Sequence, residues 1–126
     1  MFRSSPWAFH SNFWKLEGKV HGSQWFSQGW IQLRLSSKSH WDVPVVIGDP
    51  SRGGRIVHAL CAHPTPPVFD GPEDRNGCRN HDEIRFWVDY LTPERAGWIV
   101  DDAGRAGGLP PDAPFVVLGD LNCDPL

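Results

Sequence analysis

Apolar residues in this chain gather in short runs, separated by polar stretches rich in glycine and proline. Val43-Pro44-Val45-Val46-Ile47-Gly48 reads as a short strand, with Pro44 favouring its start or a sheet edge because proline cannot donate to a ladder. Arg55 to His63 reads as a second strand. Asp49-Pro50-Ser51-Arg52-Gly53-Gly54 concentrates turn formers between the two, so the pair predicts a hairpin. Phe115-Val116-Val117-Leu118 is continuously apolar, the pattern of a strand in a sheet covered on both faces. Trp98-Ile99-Val100 reads as either a brief strand or a core anchor, and Asp101 to Asp112 as loop.

One stretch carries a helical pattern. Asn80 suits an N-cap, and Glu83 three residues later resembles the far half of a capping box. Asp82 and Glu83 in the first turn suit the helix dipole. Ile84, Trp87, Val88 and Leu91 then follow at i, i+3, i+4 and i+7 as one apolar stripe. Arg85 and Asp89 form an i, i+4 pair on another face, and Thr92-Pro93 ends the helix. The segment from Pro64 to Arg79 reads as a long charged loop, because Pro64, Pro66, Pro67 and Pro72 oppose both helix and central strand. Residues 35–42 read as a polar connection in which Lys38 and His40 are solvated.

Residues 1–34 fit neither period. Trp7, Phe9, Phe13, Trp14, Trp25, Phe26 and Trp30 make them an aromatic-rich flank of uncertain order. Met1 to Trp7 has one basic residue and no apolar run, so it does not read as a secretory signal, and no stretch approaches the ~18 apolar residues of a membrane span. With 13 Gly and 12 Pro, short elements on long connections are expected. The net charge of −3 argues against a generally basic nucleic-acid binder, leaving nucleic acid as a partner only through a local patch. Cys61, Cys78 and Cys123 form no C-x-x-C pair, so they read as reduced thiols rather than a zinc framework.

Candidate chemistry collects at strand ends, a common location for sites in α/β proteins. Asp120 and Asn122 flank Leu121 just past the last strand. A carboxylate can hold a hard cation, and an amide two positions on can orient a water without adding charge. The same residues also make an ordinary turn. His63 ends the second strand and is a candidate general acid or phosphate donor, or a loop histidine bonded to backbone. His58 points to the opposite face and reads as structural. Arg75, Asn76, Arg79, Asn80 and His81 could grip a phosphate together with backbone donors at the helix start, or form an internal lattice that pins the loop.

The run Phe115 to Pro125, with Gly119-Asp120-Leu121-Asn122 at its centre, resembles the Gly-Asp-x-Asn motif of the endonuclease/exonuclease/phosphatase superfamily, the DNase-I-like fold. The stretches Leu33 to Val45, His63 to Gly77 and Arg79 to Trp87 look like one bacterial branch of it, in the same order. The resemblance covers roughly Leu33 to Pro125, and it implies one partial domain over residues 35–126. It implies a four-layer α/β sandwich and hydrolysis of a phosphoester with Mg²⁺ or Mn²⁺. Asp120 and Asn122 would take the metal-binding and water-positioning roles, and His63 would stabilise the transition-state phosphate.

The family also carries an Asn and a metal-binding Glu on early strands, and an Asp-His pair after Gly-Asp-x-Asn. Glu17 is the only glutamate before Glu73 and lacks the surroundings of that motif, and no Asp-His pair follows Asn122. The expectation is therefore a partial sandwich without its early and late strands, exposing edges and apolar faces, and an impaired hydrolase. The alternatives are an inactive module that binds a phosphate ligand, or a non-functional gene fragment.

Overall fold

Asp49 organises the first turn of the fold. In a computed structural model describing Ser36, residues 38–72 and residues 74–124, its side chain accepts from the Ser51 amide at 2.9 Å and the Ser51 hydroxyl at 2.7 Å. Its carbonyl accepts from the Arg52 and Gly54 amides. The aromatic flank over residues 1–34 lies outside the described residues, as do Glu73 and Pro125. The Asp49 turn joins β1 (Trp41–Ile47) to β2 (Arg55–Cys61), which pair antiparallel from Trp41↔Cys61 to Ile47↔Arg55. The expected hairpin is present, and among the described residues Pro44 lies on an outer strand, where its missing donor costs least.

β3 (Phe115–Leu118) pairs parallel with β2, from His58↔Phe115 to Cys61↔Leu118. The sheet order is β1-β2-β3. Parallel neighbours need a crossover, and the chain between them contains α1 (Arg75–Tyr90). The fold class is mixed α/β, with a mixed three-stranded sheet.

Side chains alternate across the sheet, so the register sorts them. Asp42, Pro44, His58, Leu60 and Val117 share one face, where Leu60 is fully buried in a core with Phe86, Trp87, Tyr90 and Ile99. Phe86 stacks on Tyr90 at a centroid distance of 6.0 Å. Burying a side chain such as Phe86 contributes roughly 1.5–3 kcal/mol. The opposite face carries Trp41, Val43, Val45, Ile47, Val116 and Leu118, all exposed. The expectation that β3 is covered on both faces is therefore overturned: its residues are 37–47% exposed, because it is the outer strand among the described residues.

The helix also departs from its sequence reading. It begins at Arg75, not Asn80, so the charged loop ends at Asp74. Asp74 adopts φ 52° at the N-cap and makes no side-chain cap bond. The cap comes instead from Asp70, whose carboxylate accepts from the Asn76 amide at 2.8 Å and the Gly77 amide at 3.0 Å. A Cβ at Gly77 would lie 2.1 Å from Asp74 Oδ1, so the Asp74 side chain would have to shift to admit one. The buried face is also rotated from the predicted stripe. Cys78, Asn80, Asp82, Glu83, Phe86, Trp87, Asp89 and Tyr90 are buried, whereas Val88 is 47% exposed. Asp89 lies 3.9 Å from Arg85 as the pairing predicts, but it also pairs with Arg95 beyond the helix. The helix ends at Tyr90, with Leu91 as C-cap, close to the Thr92-Pro93 boundary.

Ile99 is 1% exposed and anchors the core, resolving the choice left open at Trp98 to Val100. His40 corrects the reading of a solvated connection. It is 2% exposed, packs 4.6 Å from the Phe86 ring, and donates from Nε2 to the Glu83 carbonyl at 3.0 Å. Burial holds its pKa below the ordinary 6.5. None of the three cysteines is in a disulfide, with Cys78 buried and Cys123 exposed. Among the described residues, no helix is long and apolar enough to cross a membrane.

Candidate active site at the ends of β2 and β3

Parallel pairing forces β2 and β3 to leave the sheet side by side. The Ala62 amide donates to the Leu118 carbonyl at 3.1 Å, one step past the last paired residues. The next position is so close that a Cβ on Gly119 would sit 1.9 Å from the Ala62 carbonyl oxygen. Gly119 also adopts φ 132°, which glycine reaches without penalty. His63 thus begins one exit loop and Asp120 the other, on adjacent strands.

Both loops are tied by side-chain amides. Asn122 donates from Nδ2 to the Pro64 carbonyl at 3.0 Å. Asn80, on α1, donates from Nδ2 to the Thr65 carbonyl at 2.9 Å and the Leu121 carbonyl at 3.0 Å, with the Asn122 carbonyl at 3.3 Å. Glu83, one turn further on, accepts the Thr65 amide at 2.6 Å. Asn122 takes φ 50°, a left-handed conformation that Asn tolerates better than most residues. Its amide proton goes to Asp120 Oδ1 at 2.9 Å.

These bonds decide which atoms are left. Asp120 is exposed and keeps Oδ2, while Asn122 keeps Oδ1. Two hard oxygens fit Mg²⁺ or Mn²⁺ in kind, since such ions are often held by one or two carboxylates completed by water and substrate. Among the described residues no group of three or more His, Cys, Asp or Glu side chains is arranged to hold a metal.

His63 is exposed at one end of a groove of about 360 Å³ whose lining includes Lys38, Trp41, Cys61, Leu118 and Gly119. Lys38 was read as merely solvated, yet it borders this groove. The hairpin register carries the signal: continued past Trp41↔Cys61, it brings the residues before Trp41 alongside those after Cys61.

The remaining candidates lie on the first turns of α1. The helix N-terminus is at Arg75, and its Asn76 and Gly77 amides are spent on Asp70. Asn76 further donates to the Val68 carbonyl at 2.8 Å, so Asp70 and Asn76 pin the loop internally. Arg75 and Arg79 are one turn apart. Burial, the first cause, and Arg75 lower the pKa of Arg79, against the raising effect of Glu83. His81 is half-exposed and donates to Asp82 Oδ1 at 2.9 Å. Asn80 is 6% exposed and faces backbone carbonyls.

Compared with family models, with curated proteins and with solved structures, the chain finds no match.

Proposed function

We propose that this chain is a metal-dependent phosphoester hydrolase of the endonuclease/exonuclease/phosphatase type. The observation that carries the reading is the tie between the two strand exits, Asn122 Nδ2 on the Pro64 carbonyl at 3.0 Å, which joins the loop of His63 to the loop of Asp120 and Asn122. Asp120 Oδ2 and Asn122 Oδ1 would hold Mg²⁺ or Mn²⁺. The cation would supply charge neutralisation at a phosphoryl oxygen when bound. His63 donates a proton or hydrogen bond to the phosphate, and Asn122 orients a water through the oxygen that its own amide contact leaves. Arg75 and Arg79 supply positive charge for a phosphate ester, with His81 on the same helix end, while Asn76 and Asn80 are spent on backbone carbonyls.

The sheet supports the finer fold of this reading. One face meets α1 around Leu60 and Asp42, and the other is apolar and exposed, as in a sandwich that buries it against a second sheet. An exposed apolar face supports a four-layer α/β sandwich of which these strands would be one part.

The second reading is an inactive module that binds a phosphate ligand. The shortage of metal-ligating groups among the described residues favours it. Hydrolysis of bis-(p-nitrophenyl) phosphate separates the two. Mg²⁺-dependent turnover that disappears in Asp120→Ala and His63→Ala supports the hydrolase. Absence of turnover, with inorganic phosphate binding that Arg75→Ala and Arg79→Ala weaken, supports the binding module.

A further inference from the structure

We propose that Asn80 is a positioning residue that sets the two halves of the candidate site against each other; this rests on the phosphoesterase reading above. Its two amide hydrogens point to carbonyls on different loops, Thr65 after β2 and Leu121 after β3, at 2.9 and 3.0 Å. The Asn122 carbonyl at 3.3 Å shares one of them. A single planar group on a rigid helix therefore adds a second side-chain link between the two exits, beside the tie from Asn122 Nδ2 to Pro64. Being 6% exposed, Asn80 acts through backbone and not by touching substrate.

The geometry has a chemical consequence. With Asn80 holding the Leu121 and Asn122 carbonyls, Asn122 keeps its left-handed turn and its Nδ2 stays on Pro64. Its Oδ1 is then the side-chain atom that this tie leaves over, on the same turn as Asp120. Losing Asn80 loosens the turn that carries Asp120 and Asn122. Glu83 reinforces the same end of the Pro64-Thr65 segment, but it reaches only one loop. Asn80 is thus the side chain whose loss uncouples the site without removing any candidate ligand.

The test measures Mn²⁺ alone, by the loss of the free-ion electron paramagnetic resonance signal, on the full 126-residue chain. The wild-type chain is expected to bind Mn²⁺ in a manner that Asp120→Ala abolishes. Asn80→Ala is expected to remain folded and to lose about 10-fold to 100-fold in affinity, the range for a group that orients a metal ligand. A core variant, Ile99→Val, destabilises the fold without touching the loops and should bind as the wild type does. Asn80→Ala that is folded and binds Mn²⁺ like the wild type overturns the positioning role. Ile99→Val that loses affinity equally also overturns it, because general stability would then explain both. A wild-type chain with no Asp120-dependent binding sinks the phosphoesterase reading itself, and the Asn80 role with it. Should Asn80→Ala fail to fold, the wild-type side-chain amide of Asn80 is read by hydrogen exchange. Slow exchange of both protons supports the double tie, and fast exchange of either one overturns it.

Discussion

Two groups of polar side chains hang from the buried face of α1, and they spend their hydrogen bonds differently. In its first half, Asn80 and Glu83 reach backbone atoms of the loops after β2 and β3. At its end, the Tyr90 hydroxyl donates to Asp42 Oδ2 at 2.6 Å, while Asp42 Oδ1 accepts from His58 Nδ1 at 2.7 Å. The first group shapes the loops and leaves Asp120 and His63 exposed. The second satisfies side chain with side chain, and Asp42, His58 and Tyr90 line a cavity of about 430 Å³ together with Arg105 and Gly107. Where helix side chains bond to backbone, they set the loops that carry His63 and Asp120. Where they bond to each other, the result is a strut between helix and sheet.

The largest expected effect breaks that strut. Asp42→Ala strips a partner from both His58 and Tyr90, two hydrogen bonds to a charged group in partly buried surroundings. The loss should be about 3 kcal/mol by urea unfolding. Asp120→Ala should change stability by less than about 0.5 kcal/mol, as an exposed residue would. Equal losses from the two substitutions would erase the distinction between strut and site.

Glu83→Ala comes next. Glu83 is fully buried, and its removal leaves the Thr65 amide without its carboxylate. About 2 kcal/mol should be lost, and the amide of Thr65 should exchange faster with solvent. Unchanged exchange at Thr65 would mean that the loop holds its shape without the helix.

Titration separates the two ends of α1 as well. Burial depresses the pKa of His40, which bonds to the Glu83 carbonyl in the first half. Below pH 6.5 the unfolded chain takes up this proton more readily than the native one, so stability falls as pH drops from there. Tyr90 shifts upward, first by burial and then by its bond to Asp42. Above its ordinary 10.0 the unfolded chain ionises while the native one resists, so stability falls as pH rises. His40→Gln should flatten the acid limb alone and Tyr90→Phe the alkaline limb alone, as read from urea midpoints across pH. Coupled changes in both limbs would show that the clusters are one unit.

The hairpin was legible in sequence, as were the end of α1 and its Arg85–Asp89 pair, but the start of α1 and its buried polar face were not, for physical reasons. The turn formers Asp49 to Gly54 act locally, so the hairpin could be read from them. Gly119-Asp120-Leu121-Asn122 also announces itself, because its glycine and its turn residues act within a few positions. The start of α1 was hidden because its cap comes from Asp70, outside any local box, while Asn80 and Glu83 imitate a cap from within the helix. His40 looked solvated because its partners, Glu83 and Phe86, are distant in sequence. Buried polar residues are the common element: a pattern based on hydrophobicity assigns Asn80, Asp82, Glu83 and Asp89 to solvent, whereas the fold spends several of them on partners that only tertiary structure brings near.

The smallest effect tests that last point directly. Val88 belongs to the apolar stripe that periodicity selects, together with Ile84, Trp87 and Leu91. A stripe residue in the core loses roughly 1 kcal/mol or more when replaced by a charged one, since charge would be taken out of water. In the fold Val88 is 47% exposed and lies away from both polar clusters. Val88→Lys there keeps its charge in solvent and exchanges a β-branched residue for a better helix former. The stability change should stay within about 0.5 kcal/mol by urea unfolding, with the far-ultraviolet circular dichroism unchanged. A loss well beyond 1 kcal/mol would return the buried face to the apolar stripe. The polar side chains now facing the loops and Asp42 would then have to turn outward, and the contrast between strut and site would go with them.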